Sequence, residues 1–283
     1  ALAMAVEKAK ETDAELVMAS DPDADRVGAA VKNNEGEWVL LNGNQTALMF
    51  VYYLITRWKE LGKINGKEYI VKTIVTTETI KTIAERNGVE MYDVYTGFKW
   101  IANVMRENEG KKNYIGGGEE SYGFLCEDFV RDKDAVSACV ILAEIAAWAK
   151  DQGLSLYQLL QKIYVEYGFS KEKGISVVKK GKSGAEEIEA MMKKFRENPL
   201  TEIAGSKVTY FYDYSTLKGK DYAENETVTL DMPTTSNVLQ YFTEDNTKVS
   251  IRPSGTEPKI KFYCEVHSKV KSIDELPEAE KAA

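Results

Sequence analysis

Tyr69-Ile70-Val71-Lys72-Thr73-Ile74-Val75 is a β-branched, mostly apolar run with the length of a strand buried on both faces. Thr79–Arg86 follows with helical spacing and is closed by Asn87-Gly88, a common helix stop. Val89–Val94 then reads as a strand and Phe98–Asn108 as a helix. Tyr114-Ile115 reads as a short strand running into a loop at Gly116-Gly117-Gly118. Strands alternating with helices predict a parallel or mixed α/β sheet. Asn44–Leu61, Ala135–Lys150 and Leu156–Tyr167 are apolar with helical spacing and complete a domain placed at 35–168.

Upstream, Ala1–Lys10 reads as a helix, Glu15–Ala19 and Val27–Lys32 as strands, and Asn33-Asn34-Glu35-Gly36 as a turn. The first helix has neither a capping residue nor an initiating Met, and Glu278–Ala283 reads as the opening turns of another helix. Both ends therefore read as cut. After Gly168 the texture changes. Strands at Ile175–Lys179, Lys207–Tyr214, Val238–Phe242, Lys248–Arg252 and Lys259–His267 surround one helix at Gly184–Arg196. Polar segments holding Lys218-Gly219-Lys220-Asp221 and Asp245-Asn246 read as links. This predicts a second, α+β domain with an antiparallel sheet at 169–283.

The chain has 283 residues, 43% apolar and 29% charged, as expected of a protein with a sizeable core. A net charge of −8 argues against nucleic acid as the main partner, because a phosphate backbone needs a broad basic face. The three cysteines, Cys126, Cys139 and Cys264, form no metal or disulfide pattern and suit a reducing cytoplasm. No uninterrupted apolar stretch is long enough to span a membrane, and the start lacks the pattern of a signal peptide.

Three loops stand out chemically. In the first, Ser20-Asp21-Pro22-Asp23-Ala24-Asp25-Arg26-Val27-Gly28 follows the apolar run Leu16-Val17-Met18-Ala19. Unit charges about 4 Å apart repel by about 4 kcal/mol near a protein surface, so three alternating carboxylates suggest a cation that offsets the repulsion. Oxygen-only ligands favour Mg2+, and Arg26 adds a positive fork suited to phosphate. A calcium EF-hand starting at Asp21 would need Gly and Glu where Arg26 and Lys32 stand, so that reading fails. A solvated acidic turn and a phosphatase with an aspartate nucleophile remain as alternatives.

The second is Gly116-Gly117-Gly118-Glu119-Glu120-Ser121-Tyr122-Gly123. Glycines admit close approach of a ligand, and Glu119 with Ser121 could hold two neighbouring sugar hydroxyls. A Gly-rich turn with a hydrophilic tip is the plainer alternative. Arg131-Asp132-Lys133-Asp134, ten residues on, reads by itself as a surface charge cluster. In the third, Ile251-Arg252-Pro253-Ser254-Gly255-Thr256-Glu257-Pro258-Lys259, a guanidinium, two hydroxyls and backbone N–H groups around a glycine make an anion nest stiffened by two prolines.

Together these loops resemble the α-D-phosphohexomutases, the phosphoglucomutase/phosphomannomutase family, and most of all its bacterial phosphoglucomutases. Asp21-Pro22-Asp23-Ala24-Asp25-Arg26 is similar to the family's metal loop, Gly118-Glu119-Glu120-Ser121 to its sugar loop, and Arg252-Pro253-Ser254-Gly255-Thr256-Glu257-Pro258 to its phosphate loop. Tyr95-Thr96-Gly97-Phe98-Lys99 is similar to its specificity segment and Arg131-Asp132-Lys133-Asp134 to its basic element. The resemblance implies the C-terminal half of such an enzyme: a partial N-terminal α/β remnant at 1–34, the tail of the second domain; the third, a mixed-sheet three-layer α/β domain, at 35–168; and the fourth, the α+β domain with an antiparallel sheet, at 169–283.

The resemblance further implies Mg2+ on Asp21, Asp23 and Asp25, catalytic roles for Arg26 and Lys133, and substrate contacts from Thr96, Gly97, Lys99, Glu119, Ser121, Arg131 and Lys133. It assigns the phosphate to Arg252, Ser254, Gly255 and Thr256. The implied reaction converts hexose 1-phosphate to hexose 6-phosphate through a phosphoserine and glucose 1,6-bisphosphate. The family's serine segment, Thr-Ala-Ser-His-Asn-Pro, does not occur in this sequence. The expected partners are a hexose phosphate and the N-terminal half of the same enzyme, and the fragment alone is expected to be inactive. The alternative is a non-catalytic module that binds sugar phosphate or Mg2+. His267, the single histidine, reads as structural or exposed.

Overall fold

The computed structural model describes residues 2–179, 181–255 and 257–283. It divides into two compact units, Ala1–Gly168 with Lys269–Leu276, and Phe169–Ser268 with Pro277–Ala283.

In the first unit, helix α1 (Ala3–Glu11) precedes strands β1 (Leu16–Ser20), β2 (Val27–Lys32) and β3 (Trp38–Leu41), which form an antiparallel sheet in that order. Ala9, Val17 and Ala30 make its small core, with Val6 and Trp38 packed against them. Next come α2 (Gly43–Glu60), β4 (Glu68–Thr73), α3 (Thr79–Arg86), β5 (Glu90–Val94), α4 (Phe98–Asn108), β6 (Asn113–Gly118), β7 (Phe124–Cys126), α5 (Ala135–Asp151) and α6 (Leu156–Tyr167). The sheet order is β5-β4-β6-β7. The central strand β4 is buried at every residue and runs parallel to β5 and β6, while β7 is antiparallel. Side chains alternate across the sheet. Tyr69, Val71 and Tyr114 pack with Phe98, Ile101 and Met105 of α4. On the other face Phe124 stacks on Phe50 of α2, with ring centroids 4.6 Å apart. The layers are therefore helix, mixed sheet, helix.

The second unit holds β8 (Phe169–Val178), α7 (Gly181–Glu197), β9 (Glu202–Ile203), β10 (Ser206–Asp213), β11 (Lys218–Asp221), β12 (Glu226–Thr229), β13 (Leu239–Thr243), β14 (Lys248–Pro253) and β15 (Lys259–Ser268). All its pairings are antiparallel, in the order β12-β11-β10-β13-β14-β15-β8, with β9 added beside β10. Ile188 and Met192 of α7 cover one face, against Val208, Leu239, Tyr241, Ile251 and Ile260.

Five segments differ from the sequence expectation. Gly116–Gly118 is strand rather than loop. A Cβ on Gly117 would overlap the Val71 carbonyl oxygen, and one on Gly118 would sit 2.5 Å from the Phe124 ring, so glycine here permits close strand contact. Lys218–Asp221, read as a link, pairs with β10 and β12 near the sheet edge. Trp38–Leu41 and Phe124–Cys126 are strands too short to show a period. The β8 strand begins at Phe169, six residues before the expected Ile175. Its Lys171-Glu172-Lys173 stretch looks like loop because edge strands carry charge that blocks further pairing. Among the described residues, no helix is long and apolar enough to cross a membrane.

Candidate functional site

The parallel strands of the first unit end at Thr73, Val94 and Gly118, and the chain leaves β4 toward β5 on one side and returns to β6 on the other. Such a switch point opens a crevice at the carboxyl ends of the strands, where ligands of α/β sheets bind. Loops 95–99 and 119–123 lie there. Glu119 is 5% exposed, and its Oε1 accepts the Gly97 backbone N–H at 2.7 Å. Gly97 has φ +117°, which lets the chain turn directly into α4. Glu120 turns to Thr73, whose hydroxyl donates to Oε2 at 3.2 Å. Gly43, at the start of α2, abuts this turn so closely that a Cβ would overlap the Glu120 carbonyl oxygen and lie 2.8 Å from Tyr122 N. Ser121 is half-buried beside them.

The acidic loop is the turn of the β1–β2 hairpin, closed where Ser20 pairs with Val27. It is joined by backbone to the 119–123 turn and to the start of α5: Arg26 and Gly123 form a bridge, Val27 N–H donates to Tyr122 O at 3.1 Å, and Ala135 N–H donates to Ala24 O at 3.0 Å. Ala24 (φ +55°) and Tyr122 (φ +74°) hold left-handed conformations that non-glycine residues seldom adopt.

The three aspartates do not form a preassembled cage. Asp21 Oδ1 accepts the N–H groups of Asp25 and Arg26 at 3.2 and 3.1 Å, and Asp23 is exposed. Asp25 Oδ2 lies 2.9 Å from Lys133 Nζ, and Asp25 Oδ1 is buried without a hydrogen-bond partner. The Lys133 hydrogen bond, outweighing burial, holds the Asp25 carboxyl below its usual value. Burial alone would lower the Lys133 ammonium, but its bonds to Asp25 and Asp132 raise it overall. Among the described residues, no group of three or more His, Cys, Asp or Glu is placed to hold a metal ion.

Lys133 therefore belongs to the cluster with Asp25, Gly123 and Phe98, whose ring centroid lies 5.6 Å from its ammonium. Thr96 is half-buried after β5, and Lys99 is exposed with its ammonium 5.1 Å over the Trp100 ring. Arg26 is about half exposed, 3.9 Å from Asp25 Oδ1. Arg131 is turned elsewhere: it pairs with Glu109, just past the far end of α4, at 3.2 Å. Lys72 was passed over in the sequence, although a lysine inside a β-branched strand is itself a signal. It is 1% exposed and pairs with Asp93 at 2.7 Å and Glu78 at 2.9 Å.

In the second unit, the phosphate-like loop is the tip of the β14–β15 hairpin. Ser254 N–H donates to Lys259 O at 2.7 Å, so that amide closes the hairpin and is not offered to an anion. Gly255 stands exposed at the tip, where a Cβ would meet nothing within 4 Å. Thr256, an expected phosphate contact, lies outside the described residues. Arg252 is half-buried and directly opposite Lys261 across the pair. Like charges in that register repel and favour an anion that both can touch. Lys261 was not singled out in the sequence, because the register that places it beside Arg252 is a property of the hairpin.

Residues 42–167 match the model of the phosphoglucomutase/phosphomannomutase alpha/beta/alpha domain III, and residues 176–283 match that of the C-terminal domain of the same family. A phosphoglucomutase of Staphylococcus aureus is 38% identical over 259 residues, covering 92% of this chain and 46% of its own length. One from Staphylococcus haemolyticus is 33% identical over 264 residues, covering 93% and 47%. Among solved structures, the open form of parafusin, a phosphoglucomutase from Paramecium, matches with a TM-score of 0.61 at 17% identity over 91% of this chain and 41% of that one. A phosphoglucomutase/phosphomannomutase family protein from Burkholderia thailandensis matches with a TM-score of 0.60 at 17% identity over 99% and 49%. At these identities the two structures speak to the fold alone. The chain spans about half the length of the curated relatives it matches. With two consecutive domains of one family along most of its length, this chain belongs to the phosphoglucomutase/phosphomannomutase family, the α-D-phosphohexomutases.

Proposed function

We propose that this chain supplies the metal, sugar and phosphate loops of a phosphohexomutase that interconverts hexose 1-phosphate and hexose 6-phosphate. The observation that carries the reading is the order of the three motifs, the last two falling within the two matched domains. In this reading 1–34 is the tail of the second domain, 35–168 the third and 169–283 the fourth. The phosphoserine belongs to the part of the relatives that this chain does not cover, and the reaction passes through glucose 1,6-bisphosphate.

Asp21, Asp23 and Asp25 would hold Mg2+. All donors are carboxylate oxygens, and the unpartnered buried Oδ1 of Asp25 suits a hard cation. When bound, the ion neutralises charge on the phosphoryl group in transit. Arg26 adds a guanidinium contact to the same group. Glu119 and Ser121 hold sugar hydroxyls, with Thr96, Gly97 and Lys99 around them, and Lys133 faces the reacting hydroxyl; Arg131, paired with Glu109, would join them only by leaving that partner. Arg252, Ser254, Gly255 and Thr256, joined by Lys261, hold the phosphate that is not being transferred.

Calorimetry of the 283-residue chain with glucose 6-phosphate, beside an assay of glucose 1-phosphate conversion, tests the reading. Binding without turnover is expected. Turnover by the chain alone would contradict the assignment of the phosphate carrier to the uncovered half. Absence of binding would remove the substrate assignment, and binding with no loss on replacing Arg252 or Glu119 would favour an unrelated sugar-phosphate module.

A further inference from the structure

We infer that Lys133 is the resident counter-ion of Asp25, occupying its carboxylate until a divalent cation takes it, and that cation binding releases the ammonium toward the sugar loop. The inference rests on the proposed reading of Asp21, Asp23 and Asp25 as the metal loop and adds to it a control on when Lys133 is available.

Three observations support it. First, the ammonium is where a cation is needed: Nζ is 2.9 Å from Asp25 Oδ2 and 3.3 Å from Asp132 Oδ1, with the side chain 12% exposed. Second, the stem has a fitted path. A Cβ on Gly123 would overlap Lys133 Cδ and lie 3.0 and 3.2 Å from Cγ and Cε, so the absence of a side chain at 123 is what lets Lys133 cross to Asp25. Third, the other carboxylates are not gathered around Asp25. Asp21 is turned to the N–H groups of Asp25 and Arg26, and Asp23 is in solvent.

A divalent cation entering at the open Oδ1 of Asp25 repels the ammonium on Oδ2, so cation binding loosens the hold of Asp25 on Lys133. With Asp25 given up, Lys133 keeps its stem in the Gly123 notch. Its head then has the Phe98 face and the 119–123 loop within reach. The lysine assigned to the reacting hydroxyl would thus be released more readily when the cation is in place.

The test uses the 283-residue chain and its Lys133→Met variant, which preserves the length and apolar character of the stem. Mg2+ affinity is measured by calorimetry, with Mn2+ and electron paramagnetic resonance as an independent probe. In the unmodified chain, the acylation rate of Lys133 is read by peptide mass spectrometry with and without saturating Mg2+, using the exposed Lys269 as reference. The expected result is tighter cation binding by Lys133→Met, by about tenfold, the factor for roughly one released charge-assisted hydrogen bond. Lys133 acylation should also quicken severalfold relative to Lys269 on adding Mg2+. Equal or weaker binding by the variant, or unchanged Lys133 reactivity at saturating Mg2+, overturns this inference and leaves the metal loop standing. If neither protein binds either cation, the metal-loop reading falls and this one with it. The acylation arm needs no variant, so a misfolded Lys133→Met protein would not shield the idea.

Discussion

Glu119 accepts the Gly97 backbone N–H at 2.7 Å, so the carboxylate assigned to the sugar also fixes the segment that precedes α4. Its Oε1 is spent on the protein. Removing the side chain strands a half-buried donor, which costs about 1–3 kcal/mol. Glu119→Ala should lower stability by that amount in urea denaturation and speed hydrogen exchange at Gly97 and Phe98. Glu119→Gln keeps an acceptor oxygen and should restore most of the protection. Equal exchange in all three proteins would show that the contact does not order the segment.

Gly117 and Gly174 make a matched pair of tests. A Cβ at 117 would overlap Val71 O and lie 2.8 Å from Tyr114 Oη, within the buried sheet. Gly117→Ala should cost about 1–3 kcal/mol or prevent folding, because backbone cannot move aside as a flexible side chain can. Gly174, in the edge strand β8, has open space around it and no positive φ. Gly174→Ala should stay within about 0.5 kcal/mol of the parent chain in thermal denaturation.

Acid should weaken the first unit through Glu68. This carboxylate is 2% exposed, and burial, the largest influence, would raise its pKa. The N–H groups of Asn65, Gly66 and Lys67 at 2.7, 2.9 and 3.1 Å, with the Asn113 amide at 3.0 Å, outweigh burial and hold it below the usual 4.5. A pKa lower in the folded than in the unfolded state gives stability that is present above the unfolded value. It is lost as pH falls through the folded one. Glu68→Gln should therefore cost about 1–3 kcal/mol at neutral pH, and the gap from the parent should close as pH drops below 4.5. A gap independent of pH would contradict the assignment.

Arg252 and Lys261 face one another across the β14–β15 pair and should share an anion. Each replaced by Ala should weaken glucose 6-phosphate binding by about tenfold, the equivalent of about 1.4 kcal/mol, with the double variant short of additive. Calorimetry at low and high salt checks this. Loss at Arg252 alone would place Lys261 outside the site.

The helix–strand alternation from Tyr69 to Gly118 was legible because buried strands and amphipathic helices leave different spacings in the chain. The sugar-loop glycines were legible as a motif but misread as loop, since closeness to Val71 and Phe124 is a tertiary demand that no local pattern carries. Lys218–Asp221 and the start of β8 were missed for a related reason: edge strands are polar, and polarity also marks links. The acidic loop was legible as a run of alternating carboxylates, but not that Lys133 would already be seated on Asp25. Arg131 lies two residues from Lys133 and yet reaches Glu109, because α4 separates their partners by its whole length. Sequence proximity could not distinguish them.

The bridge of Arg26 to Gly123, with Val27 bonded to Tyr122 and Ala135 to Ala24, has a bearing on how such proteins can be recombined. A chimera joined near residue 34 would pair an acidic turn from one parent with a glutamate turn from another, and the backbone seams between them would have to match by chance. A splice upstream of Leu16 moves both turns as one inherited block, with its mutual fit intact.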